Sequence, residues 1–193
     1  MGGHKQFCTQ IDKLLDDFGP LKQRLVFITD GAVWLRNWID DSFPDSVSIL
    51  DFYHAAEHLH ALASQFFKAG EKGSQWVKQQ KKLLLDSQVS TVIENIIKEA
   101  GNENKDAAKL IAYYQSIQNR MDYKYHKGLG CGLIGSGAIE SAHRTVIQKR
   151  MKQSGQRWSI NGAQNMLNLR VIRKNQPWDK IIGLTKIDFN VAA

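Results

Sequence analysis

The sequence predicts an α/β protein, and three observations carry that prediction. The run Leu25-Val26-Phe27-Ile28-Thr29 is short, unbroken and rich in β-favouring residues, which suits a strand buried on both faces of a parallel sheet, and it ends at Asp30-Gly31. After Pro44, Val47-Ser48-Ile49-Leu50-Asp51 resumes the extended pattern. Between the two, Val33, Trp34, Trp38 and Ile39 keep helical register from Ala32 to Ile39, so this part reads as a strand, a helix and a second strand.

The other elements follow from periodicity and punctuation. Ahead of the first strand, Phe7, Ile11, Leu14, Leu15 and Phe18 recur on one helical face, and Gly19-Pro20 stops that helix. Beyond Asp51 the character changes: Phe52 to Lys68 and most of Gly73 to Tyr125 show helical spacing, with Gly70, Gly73 and Gly101-Asn102 as the breaks and no strand pattern. Lys127 to Gly137 reads as a flexible glycine-rich connection into a helix from Ala138 to Lys152. A last helix is expected from Ser159 to Lys174, with Ser159 as its N-cap. The organisation expected is thus an α/β part over residues 1–69, a helical insertion over 70–126, and a basic C-terminal part over 127–193.

Composition limits the classes open to the chain. Its 193 residues fit one domain, or one with an insertion, and 42% apolar with 23% charged residues is the balance of a soluble globular protein. No stretch approaches the roughly 20 apolar residues of a membrane span, and Met1-Gly2-Gly3-His4-Lys5 lacks a secretory apolar run, so a cytoplasmic location is expected. Cys8 and Cys131 lie far apart with no CxxC or Cys/His spacing, which leaves free thiols as the reading. The net charge of +7 is unevenly placed: residues 127–193 hold 11 Lys/Arg against 3 Asp/Glu, whereas residues 1–126 hold 15 against 16. That asymmetry raises the weight of a nucleic-acid partner, although a basic face is often only solvated surface.

Two acids stand out as candidates for chemistry. Asp30 is delivered by the first strand to the C-terminal edge of the sheet, where open α/β sheets assemble their sites, and Asp-Gly is equally a strand-ending turn. Glu140, in Gly135-Ser136-Gly137-Ala138-Ile139-Glu140-Ser141-Ala142, falls in the first turn of a basic helix, where the helix dipole alone favours an acid. Together they fit phosphodiester chemistry by two divalent metals about 3.5–4 Å apart, which needs carboxylates from separate elements and oxygen-preferring Mg²⁺ or Mn²⁺. A competing pattern is His54-Ala55-Ala56-Glu57-His58, the HxxEH arrangement of inverted zinc peptidases, for which Glu94, Glu99 or Glu140 would be a third ligand. The same residues suit the polar face of a helix.

Four ordered blocks carry a family resemblance. They are Asp30-Gly31-Ala32 with Trp34; Ile49 to Leu59, including His54 and Glu57; Gly135 to Ser141; and Arg150 to Ser159 with Gly162-Ala163 and Leu169-Arg170. In this order they resemble bacterial insertion-sequence transposases of the Kra group, which are similar to the Mutator-like DDE transposases. The likeness spans residues 5 to 180. It implies an incomplete ribonuclease-H-like core holding the last strands of the sheet, a helical insertion and basic C-terminal helices. It further implies DNA cleavage and strand transfer at element ends, with Asp30 as the second acid, Glu140 as the third, and both on Mg²⁺ (or Mn²⁺) in an intact site. His54 and Glu57 would lie near the site. Arg144, Lys149, Arg150, Lys152 and Arg157 would follow DNA phosphates, with Trp158 stacking on a base.

The chain departs from that family in its first acid. The expected aspartate sits on a first strand, whereas Asp12, Asp16 and Asp17 fall on the opening helix. The sequence therefore reads as the C-terminal portion of a transposase, a fragment or the product of a truncated gene. Its expected partners are DNA (element ends and target) and either a second copy of itself or an intact transposase. A non-catalytic DNA-binding or regulatory role is the alternative reading, and the zinc peptidase the third. Loss of the first strand would expose a sheet edge and favour marginal stability or self-association.

Overall fold

The structure, a computed structural model, describes residues 3–17, 25–67, 70–101, 104–129 and 134–175. The chain divides into two compact units, Met1–Ser136 and Gly137–Ala193. Among the described residues no helix is long and apolar enough to cross a membrane. Phe18, Gly19, Pro20 and Cys131 lie outside the described residues.

The first unit begins with α1 (His4–Asp17), then β1 (Val26–Thr29), α2 (Val33–Ser42) and β2 (Val47–Leu50). The strands pair in parallel with Val26 opposite Val47 and Thr29 opposite Leu50, as the strand-helix-strand pattern requires. The ladder is extended by Val47 N–H donating to Leu25 O at 2.8 Å and Asp51 N–H to Thr29 O at 2.7 Å. Burial on both faces, expected for the first strand, is not found: Val26 is 49% exposed, and Phe27, Ile28 and Thr29 are only half-buried. Among the described residues β1 has a strand neighbour on one side only, so the apolar run is less covered than in an interior strand. β2 is the better covered, with Ile49 and Leu50 buried. The second extended segment stops one residue early because Asp51 takes the N-cap of the next helix, where a short acceptor side chain satisfies free N–H groups.

Four helices follow: α3 (Phe52–Phe66), α4 (Glu71–Leu85), α5 (Val89–Ala100) and α6 (Lys105–Ile117), with a 3₁₀ turn at Gln118–Arg120 and the short α7 (Tyr123–Gly128). Gly73 does not break a helix as its residue type suggested. It lies inside α4, where a Cβ would come 3.1 Å from the Cβ of Phe67, so the small residue lets α4 pass close to the end of α3. A break the periodicity missed falls at Asp86–Gln88. Ser87 adopts φ 61° there, and its hydroxyl donates to Asp122 Oδ1 at 2.6 Å and accepts from Lys124 N–H at 2.9 Å. Buried side chains of α3 to α6 pack with Ile49 and Leu50 into one core that includes Leu59, Leu62, Trp76, Leu84, Ile96 and Tyr114. Two polar ties anchor the helices to the strands and to each other. Tyr114 Oη donates to Ala55 O at 2.7 Å, and Arg120 donates to both oxygens of Asp40, at 2.7 and 2.6 Å, and to Ser48 Oγ at 2.7 Å. A two-pronged guanidinium–carboxylate pair of this kind fixes geometry as well as adding attraction.

In the second unit, α8 (Gly137–Ala142), a π-helical stretch (His143–Gln148) and α9 (Lys149–Met151) run on consecutively, followed by α10 (Ile160–Asn175). The expected N-cap is present: Ser159 Oγ accepts from Gly162 N–H at 3.1 Å. Arg170 of α10 donates to Val146 O at 2.7 Å and to Thr145 O, supplying partners to carbonyls of the π stretch. No described residue of this unit is buried.

Candidate active site

Asp30 follows directly on β1, and its turn is built by local hydrogen bonds. Asp30 Oδ1 accepts from Ala32 N–H at 3.0 Å, the short Asx arrangement that lets an aspartate close its own turn. Gly31 carries φ +78°, and a Cβ on it would fall 2.6 Å from Tyr113 Oη and 2.9 Å from Ile117 Cδ1. Only glycine meets both demands without strain. Tyr113, on α6, donates its hydroxyl to Asp30 O at 3.1 Å and so ties the turn to the helical part of the unit. Burial and the neighbouring Asp30 carboxylate push the Tyr113 phenol up from its ordinary value, against a smaller pull from Arg36. It remains a neutral donor at pH 7.

The same turn forms one wall of a cavity of about 610 Å³, whose other walls are α3 and α6. Asp30, Gly31, Ala32 and Val33 meet His54, His58 and Gln65 there, with Asp106, Lys109 and Tyr113 opposite. Asp106 and Lys109 pair at 3.2 Å, and Gln65 donates to Asp106 at 3.3 Å. Two of the sequence candidates, Asp30 and His54, are thus brought to one cavity although they belong to different elements. His54 and His58, one helical turn apart, approach with their Nε2 atoms 3.2 Å apart, and the His58 ring lies edge-on to Tyr113. Burial, and then the adjacent His54, hold His58 below the usual imidazole range against an opposing pull from Glu57. Glu57 does not line the cavity; its carboxylate lies 3.7 Å from His54 Nδ1, with its side chain 77% exposed.

Asp51 and Ser136 form a second constellation that sequence reasoning did not single out as a site. Asp51 is only 4% exposed. Its Oδ1 accepts from Tyr53 N–H at 2.7 Å and His54 N–H at 3.3 Å, while Oδ2 accepts from Ser136 N–H at 2.8 Å and from the Ser136 hydroxyl. Phe52 N–H donates to Ile134 O at 2.9 Å, and a Cβ at Gly135 would strike the Tyr53 ring at 2.6 Å. The described end of the glycine-rich connection is therefore pinned to the start of α3, not left free as the glycine content suggested. Burial pushes the Asp51 carboxyl up, yet its hydrogen bonds, led by the Ser136 hydroxyl, outweigh that and hold it below the usual range. The signal available in the sequence was an Asp at a strand-to-helix junction; nothing local linked it to Ser136.

Glu140 stands exposed in the first turn of α8, in the second unit. Arg144, Lys149, Arg150, Lys152 and Arg157 are also exposed there, and Trp158 is half-buried. Among the described residues no group of three or more His, Cys, Asp or Glu side chains comes together to hold a metal ion. Within the first unit the metal pair implied by the resemblance would find one of its two expected carboxylates, Asp30.

Fold and cavity together define an α/β unit that presents a carboxylate at the C-terminal edge of a parallel strand, beside two imidazoles. The chain belongs to the Uncharacterised protein family (UPF0236), whose model matches residues 13–181. No curated protein and no solved structure matches it.

Proposed function

We propose that this chain derives from a DDE transposase of the insertion-sequence type and acts on DNA through its basic second unit. The observation that carries the reading is the position of Asp30: an acid on a glycine-assisted turn at the C-terminal end of a parallel strand, opening on a cavity. In this reading β1 and β2 are strands of a ribonuclease-H-like core, α4 to α6 are an insertion, and Glu140 is the second acid this chain supplies to the triad. The acids ahead of Asp30 in this sequence, Asp12, Asp16 and Asp17, all lie in α1. The uneven charge, with the basic excess in the second unit, supports DNA binding as the activity to test first.

The decisive measurement is DNA affinity as a function of salt. Duplex DNA is expected to bind with a linear fall of log K against log salt, and Arg150→Ala with Arg157→Ala should reduce the slope by about one for each phosphate no longer neutralised. Glu140→Gln should leave affinity at least as high. Absence of salt-dependent binding would sink the reading. Metal-dependent cleavage by the chain alone, abolished by Asp30→Asn, would keep the transposase ancestry and overturn a role confined to binding. For the peptidase pattern, the described residues supply no third ligand to His54 and His58.

A further inference from the structure

His54 and His58 have a geometry that the DNA reading leaves unused. We propose that the pair is a binding site for one borderline transition-metal dication of the Zn²⁺, Co²⁺ or Ni²⁺ class, independent of any Mg²⁺ chemistry at Asp30.

The spacing is the first argument. The two Nε2 atoms are 3.2 Å apart. Two nitrogens bound at about 2.0–2.1 Å to a tetrahedral ion are about 3.3–3.4 Å apart, so the separation matches that of a chelating pair once the rings turn to aim both Nε2 lone pairs at the ion. The second argument is rigidity. Both histidines rise from α3, whose start is capped by Asp51 and whose opposite face is locked by buried Ala55, Ala56 and Leu59. Helical spacing of four residues then keeps the rings one above the other. The third is the setting. Glu57, largely exposed, lies 3.7 Å from His54 Nδ1, beyond hydrogen-bond reach, and adds negative charge on the side of the ring remote from the pair. Both histidines line the cavity of about 610 Å³, which has room for water or a small anionic ligand in the remaining coordination positions.

Ligand chemistry sets the class of ion. Paired imidazoles suit Zn²⁺, Ni²⁺ and Co²⁺, whereas Mg²⁺ prefers oxygen and keeps its waters. In the metal-free protein the same contact is a hydrogen bond from the Nε2–H of one ring to the bare Nε2 of the other, and binding an ion at both Nε2 atoms requires the donor ring to carry its proton on Nδ1 instead.

The test uses the full chain, stripped with chelator and titrated with ZnCl₂ by calorimetry, alongside imidazole NMR signals. One saturable equivalent is expected, with the ring resonances of His54 and His58 shifting together and those of the other histidines staying in place. His54→Gln and His58→Gln should each weaken uptake by about a hundredfold or more, since a missing ligand costs at least as much as a missing outer partner. Circular dichroism of each variant checks that it is folded. The proposal falls if the wild type shows no saturable uptake, if neither ring resonance moves, or if the double variant still takes up one equivalent. DNA affinity is read separately, so failure here leaves the DNA reading standing.

Discussion

The two units of this protein are held by different physics. The unit Met1–Ser136 has a core of buried apolar side chains, and its buried Asp51 and Arg120 are met by hydrogen bonds. The unit Gly137–Ala193 has no buried side chain among its described residues, and its helices are tied by caps and by Arg170 reaching the carbonyls of the π stretch. The first unit therefore fixes where side chains stand to within a rotamer, which a site with several converging groups needs. The second displays its cations on exposed helices, the arrangement suited to a phosphate backbone that is read by charge more than by shape.

Substitutions chosen in the two units should separate these regimes. The largest effect is expected in the core: Leu59→Ala, at a fully buried position, should cost roughly 2–5 kcal/mol, read as a lower denaturant midpoint at unchanged slope. Asp51→Asn comes next, at about 2 kcal/mol, because an amide presents N–H where Ser136 N–H and its hydroxyl need an acceptor. It should also change the acid limb. The folded carboxyl titrates below the unfolded one, so the folded state binds fewer protons and stability rises with pH through the acid range. In the wild type this contribution is full above the unfolded carboxyl's pKa and is lost as pH falls through the lower folded value. Melting curves across that range should show a shallower slope for Asp51→Asn, and an unchanged slope would contradict the assignment.

A smaller loss, roughly 1–2 kcal/mol, is expected for Gly31→Ala, where positive φ and the approach of Tyr113 Oη oppose any Cβ. Thermal melting gives the magnitude, and release of Tyr113 from Asp30 should be visible as a shifted tyrosine ring signal. The smallest effect belongs to the second unit. Leu169→Ala, at an exposed helical position, should stay within about 0.5 kcal/mol. A loss as large as that of Leu59→Ala would show that the two units are held alike.

Much of this contrast was legible in the residues. Periodicity placed β1, α2, β2 and the long helical stretch, and Ser159 was readable as a cap because its hydroxyl acts on its own helix. Asp30 was readable as a site candidate, since a polar residue after an apolar strand stands at the sheet edge by construction. What escaped the sequence has a common cause. Gly73 has the residue type of a break, while the close approach of Phe67 gives it a place inside a helix. The turn at Ser87 carries no glycine or proline, and its stability comes from Asp122 and Lys124, over thirty residues away.

The sequence by itself determined the alternation of strand and helix, the separation of a core-forming part from a basic one, and the presence of two imidazoles one turn apart. Those properties depend on neighbours within a few residues or on totals of charge. Only tertiary structure decided that Asp30 and His54 share a cavity, that Tyr113 holds the Asp30 turn, and that Asp51 receives Ser136 from 85 residues along the chain. Contacts of that separation arise from how buried faces pack, and no local pattern in the chain encodes them.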